Sequence, residues 1–325
     1  MQEFAKSGSE ASQKVLIVKT GYSETLDPGI SGIVSLGDVF RSTVLLHLFP
    51  PPTYHVTWLT DEKAVGLLKD NPGIQRILKV TPFTPYLLER EWFDVVVNLE
   101  KDPGVCALTD RISARERYGF RFDARTCSAG AHPLAEECLS ISTDAKHKRS
   151  HGKAWSEVLF NVLGRRYEGQ GNILGYRPRS SPIHDVGFNH KVGVKFPLKL
   201  WPQENWAELE RRLQGRGASV AWQESEHDLE GYIEWINRCR VVVTSDSLGL
   251  HIAMALGKKV VALFGPTIDF EVEDHPNLTK IVAPVQWPCR PCLDSACRNG
   301  EWCMPHIGVE PVFAATSRFL DRAQG

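Results

Sequence analysis

The sequence predicts an α/β protein: two doubly wound, parallel-sheet domains in tandem. Three observations carry this expectation. Short β-branched runs alternate with amphipathic stretches, the pattern of parallel strands joined by crossover helices. The alternation lapses after about residue 120 and starts afresh beyond RPRSSP (177–182), a linker by composition. The 325 residues also exceed the ~100–200 expected of one domain.

In the first series, VLIVKT (15–20) reads as a buried strand and GDVFRSTVLLHLF (37–49) as a helix. YHVTWLT (54–60) is the next strand, followed by a helix in DEKAVGLLKD (61–70) that opens at Asp61 and closes before Asn71-Pro72-Gly73. Strands follow around Ile74–Val80 and in FDVVVNL (93–99), then a helical stretch after Asp102. Residues 125–150, rich in Ser, Ala, His and charge, read as an irregular excursion. Helical spacing returns in HGKAWSEVLFNVLG (151–164), with Trp155, Leu159 and Leu163 on one face.

The second series runs strand HDVGFN (184–189), helix PQENWAELERRLQGRG (202–217), strand ASVAW (218–222) and helix LEGYIEWINRC (229–239). It continues with strand RVVVTS (240–245), helix SLGLHIAMALG (247–257) and strand KVVALFG (259–265), and GVEPVFAATSRFLDRA (308–323) forms a last helix. The expected layout is a first domain over 1–176, a second over 183–307 and a terminal segment over 308–325.

Lys+Arg 38 against Asp+Glu 39 leaves a net charge of −1, without the cationic excess that sequence-independent nucleic-acid binding needs. Hydrophobic residues at 42% and charged at 24% fit a globular chain and exclude a disordered one. No apolar run reaches the ~20 residues of a membrane span. The first fourteen residues, MQEFAKSGSEASQK, carry no apolar stretch of the signal-peptide kind, so a cytoplasmic location is expected.

Ligands of open α/β sheets bind beyond the carboxyl ends of the strands, where helix N-termini point free N–H groups. Two junctions fit. Leu36-Gly37-Asp38-Val39 opens the first helix; Gly37 allows close backbone approach, and Asp38 either projects into a cleft or caps the helix. Thr244-Ser245-Asp246-Ser247-Leu248-Gly249-Leu250-His251 opens a later helix, where N–H groups and hydroxyls suit an anion. A capping box with a satisfied histidine explains the same residues. Lys195 and Lys199, in a proline-bearing loop before another helix, could neutralise a diphosphate or simply face solvent.

Together these stretches resemble a known family. VVTSDSLGLHIAMALGKKVVALFGPT (242–267) is similar to the C-terminal signature of glycosyltransferase family 9, the ADP-heptose heptosyltransferases of lipopolysaccharide core assembly. KVLIVKT (14–20) with LGDVFRSTVLL (36–46) resembles the family's N-terminal signature, and KLWPQENWAEL (199–209) its middle one. The resemblance implies a GT-B fold, two Rossmann-like domains facing a central cleft, with the terminal helix crossing back to the first domain. It implies inverting transfer from a nucleotide-sugar donor to a glycan or other hydroxyl acceptor, without a catalytic cofactor. By position, Asp38 becomes the general base beside Gly37. Lys199 takes the donor diphosphate and Asp246 the heptose hydroxyls, with Lys195, Ser245, Ser247, Leu248, Gly249 and His251 completing the donor side. Peripheral contact with an inner membrane is compatible with such an acceptor; the oligomeric state is left open.

The chain departs from the family in an insertion, Gly21–Ser35, which reads as a loop over the acceptor site. It also lacks a glycine-rich turn in QESEHDLEGYIEWI (223–236), where the nucleotide base is normally framed. A transferase with another donor, acting on a protein or natural product, and a non-catalytic sugar-nucleotide binder are the alternatives. A nicotinamide dehydrogenase is excluded, since no G-x-G-x-x-G follows the strands at 15–20 or 184–189.

Four of the eight cysteines, Cys289, Cys292, Cys297 and Cys303, crowd into fifteen residues. They admit a structural zinc or iron site with four thiolates, a disulfide pair, or thiols packed under a loop.

Overall fold

The computed structural model describes residues 12–22, 25–224 and 228–321; most of the leading fourteen residues and part of the stretch after Gln223 therefore lie outside the described residues. The first series folds in the order β1 (Gln13–Val18), α1 (Leu36–Arg41), β2 (Tyr54–Thr60), α2 (Val65–Leu68), β3 (Arg76–Lys79), α3 (Thr84–Leu88), β4 (Trp92–Asn98) and α4 (Pro103–Arg111). It ends with β5 (Ser113–Asp123), β6 (Ser128–Ala131), α5 (Glu136–Thr143), α6 (Ala145–Ser150) and α7 (Trp155–Val162). The sheet order is β3-β2-β1-β4-β5-β6, parallel except for β6, which turns back on β5 as a hairpin.

The second series comprises β7 (His184–Asn189), α8 (Gln203–Gly215), β8 (Val220–Trp222), α9 (Leu229–Asn237), β9 (Cys239–Ser245), α10 (Leu248–Ala255), β10 (Lys259–Phe264), β11 (Leu278–Val282) and α11 (Val309–Asp321). Its strands form an all-parallel sheet in the order β11-β10-β9-β7-β8. Both orders are doubly wound. They reverse direction between β1 and β4 in one sheet and between β7 and β9 in the other, the places where such sheets hold ligands.

Burial explains the continuous apolar runs. Val15 and Ile17 of β1 enter one core with Trp58, Val97 and Phe160, while Leu16 and Val18 enter another with Leu59 and Phe93. In β9 and β10, Val241, Val243, Val261 and Leu263 face one layer, and Val242, Val260, Ala262 and Phe264 the other. A strand covered on both faces has no polar side to show. Aspartates start the helices as expected: Asp102 accepts from the N–H groups of Gly104 at 2.9 Å and Val105 at 3.1 Å, and Asp61 from that of Lys63 at 2.9 Å.

Four expectations need correction. The helix expected over 37–49 stops at Arg41 and tightens into a 3-10 turn over Ser42–Leu48, where the Ser42 and Thr43 hydroxyls donate to the carbonyls of Asp38 and Phe40. The stretch 125–150 is not irregular: it holds β6, α5 and α6, whose polar composition reflects a sheet edge rather than missing structure. β11 escaped notice because five residues give too short a pattern. Over its described residues the terminal helix stays with the second half instead of crossing back. α11 packs on α8 and on β9, β10 and β11, its Val312, Ala315, Phe319 and Leu320 sharing the core of Val241 and Leu263.

Gly119, within β5, has φ of +87°, and a Cβ there would overlap the carbonyl oxygen of Asn98 on the neighbouring strand. Gly119→Ala combines a disfavoured backbone with a clash against a rigid partner. A loss of at least about 2 kcal/mol is expected, read as a lowered urea midpoint with an unchanged slope.

Candidate functional site

The carboxyl ends of the two sheets open on one cavity of about 490 Å³. From the first half come the start of α1 and the insertion ahead of it; from the second come the lysine loop after β7 and the start of α10. The two helix starts meet closely. A Cβ on Gly37 would stand 3.6 Å from the backbone nitrogen of Leu248, ordinary contact, so the site joins the halves almost backbone to backbone.

Asp38, 3% exposed, lines the cavity and forms an ion pair with Lys19, whose Nζ also lies 3.7 Å from Glu100. Glu100 in turn accepts from the N–H groups of Thr20 and Gly21, each at 2.7 Å. On the facing side, Lys199 donates to the Asp246 carbonyl at 2.8 Å and reaches the Asp246 carboxylate at 3.3 Å. Ser245 does not line the cavity; its hydroxyl donates to the Lys199 carbonyl at 2.7 Å and so anchors the lysine loop. Ser247 and Leu248 line the cavity, and Asn189 donates to the Ser247 hydroxyl at 3.1 Å. Gly249 backs the wall, where a methyl group would collide with the Asn189 amide and the Tyr232 hydroxyl. Lys195 spans the cleft, donating at 2.9 Å to the carbonyl of Ile33 in the first half's insertion.

Burial raises the Asp246 carboxyl, but the Lys199 ammonium, His251, Arg41 and the Thr267 hydroxyl together more than offset this and hold its pKa down at about 2. His251 lies 3.9 Å from that carboxylate. Burial, aided by the Arg41 charge, lowers its pKa to about 3, so its imidazole is neutral at physiological pH and offers a hydrogen bond rather than a charge.

Sequence reasoning missed part of the site. Lys19, Arg41, Lys148, Asn189 and Glu271 all border it or hold its residues. Glu271, from the segment after β10, receives Lys148 at 2.6 Å, His151 at 3.0 Å and Arg41 at 3.8 Å, and its carbonyl accepts from the N–H of Trp155 at 2.9 Å. Arg41 was findable, one turn after Asp38 on the same helix, and Asn189 ends a strand at the reversal point. Lys148 and Glu271 carry no local signal. The insertion does cover the cavity, through Thr25, Leu26 and Val34. Among the lining residues, Lys and Arg number six (41, 101, 148, 191, 195, 199) against three Asp and Glu (38, 246, 271), a surplus that suits an anionic ligand.

The four clustered cysteines do not form the metal set. Among the described residues no three His, Cys, Asp or Glu side chains are grouped to hold an ion, and the cysteines are free thiols. Cys289 accepts from the Asn299 amide at 3.0 Å, and Cys297 donates to the Glu301 carbonyl at 3.2 Å. Cys303 is buried against Gly265, with burial pushing its thiol up to about 11. The segment instead packs over Gly265-Pro266 and reaches the first half, where Arg149 donates to the Pro291 carbonyl at 2.8 Å and Ser295 to Asp27 at 3.1 Å.

Two facing doubly wound sheets with their ligand edges on one cleft define a GT-B fold. Comparison with known proteins agrees. The chain's fold matches a glycosyltransferase family 9 structure from Veillonella parvula (TM-score 0.69, 16% identity, 95% of this chain and 98% of that one). It also matches E. coli heptosyltransferase WaaC with ADP (TM-score 0.63, 16% identity, 94% and 99%). In sequence it is 29% identical over 181 residues to lipopolysaccharide heptosyltransferase 2 of Salmonella typhimurium, covering 46% of this chain and 51% of that protein. The match thus spans about half the length of the curated relatives. The model of glycosyltransferase family 9 (heptosyltransferase) matches residues 225–303. The similarity to glycosyltransferase family 9 thus lies in the second half of the chain by sequence and in the whole chain by fold.

His251 gives the site a pH signature. Its folded pKa of about 3 lies below the ~6.5 of an unfolded histidine. The unfolded chain therefore binds the extra proton first, and this residue's contribution, complete above ~6.5, is lost as the pH falls from there toward 3. Between pH 7 and 5 the loss amounts to roughly 2 kcal/mol. Urea unfolding of wild type and His251→Gln at both pH values tests this: the acid-induced loss is expected to shrink by about that amount in the variant.

Proposed function

We propose that this chain is an inverting glycosyltransferase that moves a heptose from a nucleotide-diphospho-heptose, ADP-heptose, to an acceptor hydroxyl of a lipopolysaccharide-core or related glycan. The observation that carries the reading is the meeting of Asp38 with Lys199, Asp246 and the start of α10 across one cation-rich cavity. The names of the sequence relatives supply the sugar and acceptor class. In this reading residues 1–176 receive the acceptor and 183–307 the donor.

Inverting transfer is a single displacement. The acceptor oxygen bonds to the anomeric carbon as the carbon–oxygen bond to the diphosphate breaks, and the hydroxyl proton leaves to a base. Asp38 takes that proton. Lys19 fixes its carboxylate from behind, so the base presents a defined face to the cavity. The leaving diphosphate carries the departing electron pair, and Lys199 with the N–H groups at the start of α10 stabilises it. Asp246, repelled by phosphate, holds sugar hydroxyls. His251, neutral, orients the same group. No helix among the described residues is long and apolar enough to cross a membrane.

Asp38→Asn is expected to bind the nucleotide sugar as wild type does while transfer falls ~10²–10⁴-fold. Undiminished turnover would return Asp38 to a purely structural role. Lys199→Ala is expected to weaken donor binding by about 1.5–3 kcal/mol, measured by calorimetry with ADP-heptose. A panel of other nucleotide sugars in the same titration assigns the donor.

A further inference from the structure

Glu100 is a fully buried carboxylate that the transfer chemistry above leaves unused. It stands two residues beyond β4, beside the end of β1, where the strand order reverses. Both ends of the residue are pinned. Its backbone N–H donates to the Asn98 side-chain oxygen at 3.0 Å, and its carbonyl accepts from the Asn98 amide at 3.2 Å. Its Oε1 accepts from the N–H groups of Thr20 and Gly21 at 2.7 Å each and lies 3.7 Å from Lys19 Nζ.

Holding two backbone N–H groups does not require a charge. A glutamine offers the same acceptor oxygen without burying an anion. The charge acts on Lys19. That ammonium is paired with Asp38, and an opposite charge in contact makes a carboxylate a weaker base. Lys19 therefore orients Asp38 while opposing its uptake of a proton. Away from water such charges act strongly over a few ångströms, so a second carboxylate on the same ammonium offsets part of its pull. Other charges surround the cavity. Arg41, one turn along α1, and Lys148 both face Glu271, and Lys101 donates to the Thr25 carbonyl at 2.8 Å. On the opposite wall Lys199 pairs with Asp246, Lys195 donates to the Ile33 carbonyl, His251 is neutral at physiological pH, and Lys191 lines the same side. Glu100 acts instead through the ammonium that Asp38 itself contacts. We infer that Glu100 is a positioning residue that sets the basicity of Asp38 through Lys19. The inference rests on Asp38 as the proton acceptor of the transfer reading, and adds the group that keeps this carboxylate able to accept.

The test titrates Asp38 in the full chain, by carbon NMR of isotope-labelled aspartate, with Asp38→Asn to assign the signal. Glu100→Gln keeps the acceptor oxygen for Thr20 and Gly21 but removes the charge. It is expected to move the Asp38 midpoint down by about one pH unit. The acid limb of kcat/KM for transfer from ADP-heptose to a lipopolysaccharide-core acceptor should move the same way, because it reports the base of the free enzyme. The plateau should fall severalfold as the base weakens. Glu100→Asp retains the charge and should keep both midpoints nearer to wild type than Glu100→Gln does. Midpoints on the pH axis do not depend on the fraction of chain folded, which is what a merely structural role would change. A midpoint left in place or raised by Glu100→Gln, or lowered equally by Glu100→Asp, overturns the inference. The titration needs no turnover. A wild type that transfers nothing therefore defeats the transfer reading, whereas an unmoved midpoint defeats this inference alone.

Discussion

One buried ammonium holds the cavity-facing edge of the first half together. Lys19 follows β1, faces Asp38 at the start of α1 and lies near Glu100 beyond β4, while Glu100 binds the backbone that follows Lys19. Three charges are withdrawn from water, and each is tolerable only because the others are present. Removing one partner of such a buried set typically costs about 3–5 kcal/mol, because the remainder is left uncompensated. The orientation of Asp38 is therefore a property of the fold as much as of the site. The same constraint dictates where the cavity forms, since the strands on either side of the reversal are fixed by it.

The halves are also joined by apolar contact. Phe40 of α1 and Leu67 of α2 belong to the core that Leu250, Ile252 and Phe264 build in the second half. With Gly37 against Leu248, the junction beside the cavity is a continuation of the interior. Elsewhere the cleft is bridged by polar and ionic contacts, which are easier to exchange for water than this apolar seam.

The fold was largely legible because parallel strands buried on both faces write themselves as uninterrupted β-branched runs. Tyr54–Thr60 and His184–Asn189 fall where their runs do. Legibility failed where burial was partial. β6 at the sheet edge falls in the stretch that reads as irregular, and β11 is too short to register. The placement of α11 depends on which neighbour fits its apolar stripe, information that no local pattern holds. In the site, Asp38, Lys199 and Asp246 were readable because strand-end junctions announce themselves. Lys148 and Glu271 meet only through folding, at a sequence separation that hides the pair. The cysteine spacing suggested a metal set, yet spacing says nothing about direction, and Cys289 and Cys297 turn to separate partners.

The Glu271 clasp gives the cleft a thermodynamic set point. A carboxylate from the second half occupies cations of the first, Lys148 and Arg41, together with His151. The closed arrangement thus carries stabilisation from the chain's own charges before any ligand arrives. A ligand that enters only through an open cleft has its apparent affinity reduced by the fraction of molecules already shut. One that bridges both halves inherits the closed state at lower cost.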